Sequence, residues 1–445
     1  MTNRQAPTGC GEQDFGEKYA LLSRAEAIFE ASRCLYCHDA PCIQSCPTAI
    51  DIPTFIRKIR TDNLRGAART ILSANLLGDS CARVCPVEVL CQSTCVFERW
   101  GQEPIAIGRL QRYAMHHGVV GADATAILDK AEQRSGQSVG LIGAGPASLA
   151  CAGTLALLGH EAVLYEKDGY PGGLNATGVA PYKFKLGDNL QEVAFLESLG
   201  MEIRTGVEVG VDVSVDELLE QHAAVFLGLG LGADSKLGIP GQDCAGVVGA
   251  VHWIRQLKTD PELDVSGIEQ AVVVGGGNTA VDAARELRGV GVPKVTMVYR
   301  RSRTEMSSYD HELAAALDEG VQLIERAAVA EVLAADGKAT AVRLVEVDAG
   351  RPSDRDAGTL PAQLVVLAIG QSKLRDLATS FADVACDARG CVEVDLESMA
   401  TGNPRVFAGG DGVNGGMEVV NAVHDGQLAA HSIDRLIRGG SHDQA

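Results

Sequence analysis

Aromatic side chains make up only 4% of this 445-residue chain, too few for a surface that stacks nucleic-acid bases. Positive charge is also scarce. With 39 Lys and Arg against 58 Asp and Glu, the formal charge is −19, which argues against a polyanionic partner. The first residues (MTNRQAPTGCGEQ) lack the basic start and apolar run of a signal peptide, so none is expected. One uncharged stretch, Val139 to Gly159, is long enough to imitate a membrane span. Glycines at 143, 145, 153 and 159 and Pro146 interrupt it, so strand, turn and helix are expected there and no span. These absences lead to an expected cytoplasmic location, where clustered cysteines bind metal more often than they pair as disulfides.

What is present is a glycine-punctuated chain, 46% hydrophobic with 51 glycines, long enough for roughly two to four domains. It falls into two unlike parts. Nine of the 13 cysteines precede residue 96. Residues 1–135 hold equal numbers of basic and acidic side chains, so the whole −19 falls after them. Stretches 16–33, 52–74 and 104–116 have the apolar spacing of helices, and 118–137 is small and polar like a linker. Beyond it, strand, turn and helix alternate as in a parallel α/β sheet. QSVGLIGAG, HEAVLYEK, QAVVVGGGN and KVTMVYRR are the clearest strands, in two units of related architecture.

The cysteines form two groups, Cys34-x2-Cys37-x4-Cys42-x3-Cys46-Pro47 and Cys81-x3-Cys85-Pro86-x4-Cys91-x3-Cys95. Thiolates at such intervals can wrap a compact inorganic core, and a proline after a cysteine turns the chain around it. Zinc is the competing reading. Zinc sites usually pair two Cys-x2-Cys hairpins, however, and only one is present. Eight thiols with two Cys-Pro ends suit two four-iron clusters better. Cys10 reads as a spare thiol and the late Cys386-x4-Cys391 pair as structural. His116, His117, His252, His311 and His424 form no ligand pattern.

Two glycine turns follow strands and open helices. In Gly143-Ala-Gly145-Pro146-Ala147-Ser148 the first glycine permits the turn, and the second lets a pyrophosphate approach the helix N-terminus. The next strand ends in Glu166, 23 residues after Gly143, where a carboxylate can accept from ribose hydroxyls; an exposed strand-end charge is the plain alternative. Gly172-Gly173 follows directly. The second turn is Gly275-Gly-Gly277-Asn278-Thr279, and its next strand ends in Arg300-Arg301 instead of an acid. Arginines there can pair with the 2′-phosphate of NADP, or stack on the adenine of NAD, so NADPH is favoured modestly over NADH. Near the C-terminus, Phe407-Ala-Gly409-Gly410-Asp411 reads as a strand entering a turn before a helix over 418–437. Asp411 can bind a flavin's ribityl chain, and the helix start at Val419 and Val420 can favour negative charge on reduced flavin. No cysteine pair at redox-disulfide spacing follows either turn, which leaves the clusters as the outlet for electrons.

The order of these motifs, with GGGNTAVD, VYRR and VFAGGD after the cysteines, resembles the glutamate synthase small-subunit family over about residues 25–440. It is most similar to the N-terminal half of dihydropyrimidine dehydrogenase and its separate bacterial electron-transfer subunit. The resemblance implies an α/β protein with an N-terminal all-helical iron–sulfur domain followed by two Rossmann-like nucleotide-binding domains, the nicotinamide domain inserted in the FAD domain. Expected boundaries are 1–117 for the iron–sulfur domain, 118–137 for the linker, 138–235 and 366–445 for the FAD domain, and 236–365 for the NAD(P) domain. The resemblance also implies a ligand set. Cys34, Cys37, Cys42 and Cys95 would hold one cluster, and Cys46, Cys85, Cys91 and Gln111 the other, with Cys81 a bystander. Counting thiols alone gives two all-cysteine clusters, and that alternative stays open.

The expected function is therefore an FAD and iron–sulfur electron-transfer subunit. It would exchange hydride with NAD(P)H and pass single electrons through two [4Fe-4S] clusters to or from a separate catalytic subunit. No barrel or further ferredoxin segment follows the last helix, so substrate chemistry is expected on another polypeptide. Hydride transfer needs stacked geometry and no acid or base, so the named residues are binders and no proton-transfer catalyst is expected. The rivals are a stand-alone NAD(P)H:ferredoxin-type oxidoreductase and a non-catalytic cluster-holding module.

Overall fold

The computed structural model describes residues 15–348 and 350–439, so Cys10 lies outside the described residues. Seven helices come first: α1 Arg24–Arg33, α2 Pro41–Gln44, α3 Ile52–Arg60, α4 Leu64–Ala74, α5 Gly78–Val84, α6 Val96–Arg99 and α7 Ile107–Gly118. Three sequence expectations need correction here. The helix expected over 16–33 starts only at Arg24, because Ser23 and Glu26 form a reciprocal capping box. The stretch 52–74 is two helices, divided where Asp62 turns left-handed (φ 61°) and Asn63 caps α4. The third helix begins at Ile107 instead of 104, after Ala106 with its non-helical ψ of 65°, and runs on to Gly118. Apolar residues at helical spacing (Phe55, Ile56 and Ile59 on α3; Ala67, Ala68, Ile71 and Leu72 on α4) bury one face of each helix. The expected linker is packed down: Ala124, Ile127 and Leu128 are buried in a core shared by the helical unit and the first sheet.

The first sheet has the order β13-β4-β1-β2-β3 and is wholly parallel. Its strands are β1 Ser138–Ile142, β2 Glu161–Glu166, β3 Glu202–Thr205, β4 Ala224–Leu227 and β13 Val406–Ala408. Helices α8 Pro146–Leu157, α9 Leu174–Thr177, α10 Leu186–Glu197 and α11 Val215–Gln221 connect the first four strands. The uncharged run 139–159 is thus β1, a turn and α8. Between β4 and β13 the chain builds a second parallel sheet, ordered β5-β12-β6-β7-β8. These strands are β5 Val247–Gly249, β6 Gln270–Val274, β7 Lys294–Tyr299, β8 Gln322–Glu325 and β12 Leu364–Leu367, with helices α12 Ala250–Thr259, α13 Asn278–Gly289 and α14 Asp310–Asp318. An antiparallel meander of β9 Ala327–Ala335, β10 Lys338–Asp348 and β11 Arg351–Pro361 precedes β12. β12 runs two residues past the boundary placed at 365, because Val366 and Leu367 continue its buried run. After it come α15 Arg375–Thr379, β13, α16 Asp411–Asn414 and α17 Val419–Ile437, which lies against α8.

Central strands with two covered faces read as unbroken apolar runs, as in VGLI of β1 and LVVL of β12. The topology also places the sites. β1 and β6 each have their next strand on one side and a later strand on the other. Each is a topological switch point, and the crevice beyond its C-terminal end is where open α/β sheets bind ligands. Both glycine turns stand there.

Candidate functional site

The thiols surround two cavities in the helical unit. Cys34 ends α1, Cys42 lies in α2 and Cys95 precedes α6. These three and Cys37 line one cavity, walled by Leu35, Ile52 and Phe97. Cys46, Cys81, Cys85, Cys91, Gln111 and Val420 line the second. Between Cys34 and Ala49 three non-glycine residues turn left-handed, Tyr36 (φ 51°), Asp39 (φ 50°) and Ala49 (φ 50°), which winds four thiols inward in a short span. Such conformations cost about 1–3 kcal/mol each and persist where the surroundings hold them. The Gln111 Nε2 donates to the Gly78 carbonyl at 2.8 Å, which leaves the amide oxygen as its free acceptor. Cys81 is buried in the same cavity, and its sulfur accepts from Asn75 Nδ2 at 3.2 Å. The structure therefore brings both rival ligands to one site.

Both cavities fit a multi-iron core. Burial and neighbouring thiols push Cys42 up to about 12, and raise Cys34 and Cys91. Cys85 is raised by its hydrogen bond with Cys81, by burial and by nearby thiols. Crowded buried thiols of this kind ionise only if a cationic group joins them. Thiols line each cavity, and among the described residues no three of these side chains converge as ligands of one metal ion, which suits a cluster better than one zinc ion.

At the first glycine turn, Gly143 is demanded by the fold. Its φ is 83°, and a Cβ would sit 2.6 Å from the Gly228 carbonyl. Gly145 is not: its φ of −78° suits any residue, and a Cβ would meet nothing nearer than Gly173 Cα at 3.8 Å. The second turn repeats this division. Gly275 has φ 152° and would meet the Ala368 carbonyl at 2.3 Å, whereas Gly277 (φ −96°) has only Ser307 Oγ at 3.5 Å. In each turn the first glycine is needed by the backbone and the last leaves open a cradle that a Cβ would fill, as a bound pyrophosphate requires; the middle glycine of the second turn, Gly276, packs against the Tyr299 ring.

The flavin candidates come together around the first turn. Glu166 is buried, not an exposed strand-end charge. It accepts from the Ala144 and Asp168 amides at 2.8 Å each, and burial raises its pKa against those two donors. Gly172 donates to the Ala144 carbonyl at 2.8 Å, so Gly172-Gly173 lies over the turn. The amide oxygens of Asn175 and Asn189 are buried beside it without partners among the described residues, as acceptors facing an absent donor would be. Gly410 approaches Ala147, as a Cβ on it would lie 3.1 Å from that of Ala147. Asp411 accepts from the Met417 amide at 3.2 Å, and burial raises its pKa. Val419 and Val420 form the first turn of α17.

At the second turn, Thr279 is exposed on the first turn of α13, and Arg300 and Arg301 are exposed after β7, where the Arg301 charge reaches the Glu305 carboxyl. The Asn278 side chain is engaged, accepting from the Tyr309 amide at 2.9 Å. Tyr309 also donates from its hydroxyl to Glu418, the N-cap of α17, so it links the second turn to the flavin helix. Burial and then that carboxylate raise its pKa. Lys183 pairs with Asp282 at 2.8 Å, and the buried Lys258 ammonium donates to the carbonyls of Asn175, Val179 and Phe184 at 2.8–3.1 Å. Tyr309, Glu418 and Lys258 carry no local sequence signal. Cys386 and Cys391 are free thiols flanking a tight turn.

Residues 137–426 match the family model of the pyridine nucleotide-disulphide oxidoreductases, and residues 11–120 match that of dihydropyrimidine dehydrogenase domain II, 4Fe-4S cluster. The NAD-dependent dihydropyrimidine dehydrogenase subunit PreT of Escherichia coli K12 is 34% identical over 93% of this chain and 95% of its own. The chain belongs to this oxidoreductase family. Within the family it stands with PreT and with glutamate synthase small chains; that of E. coli K12 is 30% identical over 94% of this chain and 93% of its own. Mycobacterium tuberculosis FprA in complex with NADPH shares the fold, with TM-score 0.55 and 20% identity over 68% of this chain and 85% of that one. The chain is accordingly an NAD(P)H-dependent flavin and iron–sulfur oxidoreductase. Among the described residues no helix is long and apolar enough to cross a membrane.

Proposed function

We propose that this chain is an electron-transfer subunit that exchanges hydride with NAD(P)H and relays single electrons through two four-iron clusters to or from a separate catalytic partner. One observation carries the reading. Val420, in the first turn of the helix that begins beside Gly410-Asp411, also lines the second thiol cavity, so flavin site and cluster site share a wall. The chemistry supplied by the bound groups is hydride acceptance by FAD and one-electron relay by the clusters. The chain binds and orients. Gly143, Gly145, Pro146 and Ala147 cradle the FAD pyrophosphate, Glu166 takes the ribose, and Gly172, Gly173, Gly410 and Asp411 line the rest. Cys34, Cys37, Cys42 and Cys95 hold one cluster, and Cys46, Cys85, Cys91 and Gln111 the other. Gly275, Gly277, Asn278 and Thr279 hold the nicotinamide dinucleotide, and the exposed Arg300 and Arg301 favour NADPH.

Exposed apolar side chains at the first cavity support a partner docking there. Its wall residue Leu35 is 49% exposed, and Trp100, edge-on to Phe97 at 5.7 Å, is 59% exposed. Clustered free thiols agree with a cytoplasmic setting. The test is co-purification with a tagged copy, followed by anaerobic mixing of the complex with NAD(P)H. Flavin bleaching followed by cluster reduction and turnover on the partner is expected. Cluster-loaded protein that is not reduced by either nucleotide would refute the reading in favour of a cluster-holding module.

A further inference from the structure

The helix that opens the second group of thiols is tied to the proposed flavin side by a small buried polar cluster. α5 holds Cys81 and ends at Cys85. At its start, the Asp79 and Ser80 amides donate to Glu192 Oε1 at 2.9 and 3.1 Å, and the Ser80 hydroxyl donates to Glu192 Oε2. The same hydroxyl accepts from Asn175 Nδ2 at 3.0 Å. Glu192, Ser80 and Asn175 are all buried. Burial and the neighbouring Asp79 carboxylate push Glu192 up to about 7, and the three donors that meet it act in the opposite direction.

The two ends of this cluster matter more than its burial. Asn175 stands two residues after Gly173, and its amide donates to the Gly172 carbonyl at 3.1 Å. Glu192 lies on α10, whose Asn189 donates to the Pro171 carbonyl at 2.8 Å and packs against Gly172. On the other side Asp188, also on α10, pairs with Arg83 of α5 at 2.9 Å. The Gly78 carbonyl at the start of α5 receives the amide of Gln111. One short helix and one side chain thus connect the loop over the flavin turn to the segment that presents Cys85 and anchors Gln111.

We propose that Glu192, Ser80 and Asn175 form a strut that sets the spacing between the flavin loop and the second cluster, acting as positioning residues for the flavin-to-cluster electron step. This rests on the proposed function. The step moves one electron and breaks no bond, and the electron originates from NAD(P)H. Its rate falls steeply with distance, so a small displacement of α5 registers in it before it registers in binding.

The test uses full-length protein as Glu192→Gln, whose amide oxygen can still accept from the Asp79 and Ser80 amides while its NH2 replaces the acceptor of the Ser80 hydroxyl, and as Ser80→Ala, which removes the shared hydroxyl. FAD and iron contents should match wild type, and nicotinamide should bleach the flavin at the wild-type rate. Cluster reduction after bleaching should slow by roughly tenfold or more, the usual scale for losing an outer-shell partner. The electron paramagnetic resonance signal of the second cluster should shift in Glu192→Gln. Wild-type cluster reduction with an unshifted signal in both variants would overturn the strut. So would loss of iron in both that accounts for the slower step, since that marks a structural role alone. Wild-type protein whose flavin bleaches without cluster reduction would instead overturn the underlying function.

Discussion

Gly145→Ala separates binding from folding at the first turn. The new methyl would lie 3.8 Å from its nearest neighbour, Gly173 Cα, in a backbone conformation that alanine accepts (φ −78°, ψ −179°). The FAD-free protein should therefore keep its stability or gain about 0.4–1 kcal/mol through a stiffer unfolded chain. The same methyl fills the cradle where a pyrophosphate must touch backbone. Overpacking of that kind costs roughly 1–3 kcal/mol, or about 5- to 150-fold in FAD affinity. Gly143→Ala should behave in the opposite sense. At φ 83° and 2.6 Å from the Gly228 carbonyl, it should destabilise the FAD-free protein itself. The assay is thermal unfolding of deflavinated proteins beside fluorescence titration with FAD. A Gly145→Ala variant that is as stable as wild type and binds FAD within twofold of it would refute the assignment of this turn.

Gly277→Ala should weaken nicotinamide dinucleotide binding in the same way with FAD content unchanged, measured by equilibrium titration. Cys81→Ala should retain about eight irons per chain, the content of two four-iron clusters, while Gln111→Ala alters the second cluster's resonance signal; the reverse pattern would assign the ligand to Cys81. Arg300→Ala/Arg301→Ala should lose NADPH affinity far more than NADH affinity in stopped-flow reduction of the flavin, at most ~1.5–3 kcal/mol per lost charge-assisted bond. Burial raises the pKa of Glu312, but Lys183, Lys18 and Arg285 outweigh it and hold the carboxyl down at about 2, below its ordinary 4.5. Its contribution to stability is therefore complete above pH 4.5 and lost as pH falls toward 2, and Glu312→Gln should flatten that acid limb of the melting temperature.

Legibility in the sequence followed the range of each interaction. The thiol spacings and both glycine turns were readable because their chemistry is local: a turn needs φ > 0 within a few residues, and winding thiols around a core needs short gaps. The clearest strands were readable because buried parallel strands leave unbroken apolar runs, whereas their order in each sheet was not. Helix ends were less so. The Ser23 and Glu26 capping box was in plain view, yet apolar spacing upstream drew the first helix back to residue 16.

What could not be read are the contacts between units. Lys258 lies on α12, and nothing local distinguishes it from a solvated lysine. Only the folded chain brings the carbonyls of Asn175, Val179 and Phe184 around its ammonium. Glu192, on α10, and Glu418, the N-cap of α17, are likewise unmarked until Ser80 and Tyr309 reach them from far along the chain. These pairings join flavin loop to cluster helix and nicotinamide turn to flavin helix, the two junctions that electrons would cross. Local motifs thus name what each unit binds. The side chains that hold the units at working distance are set by tertiary packing, where a buried charge persists only with its partners in place.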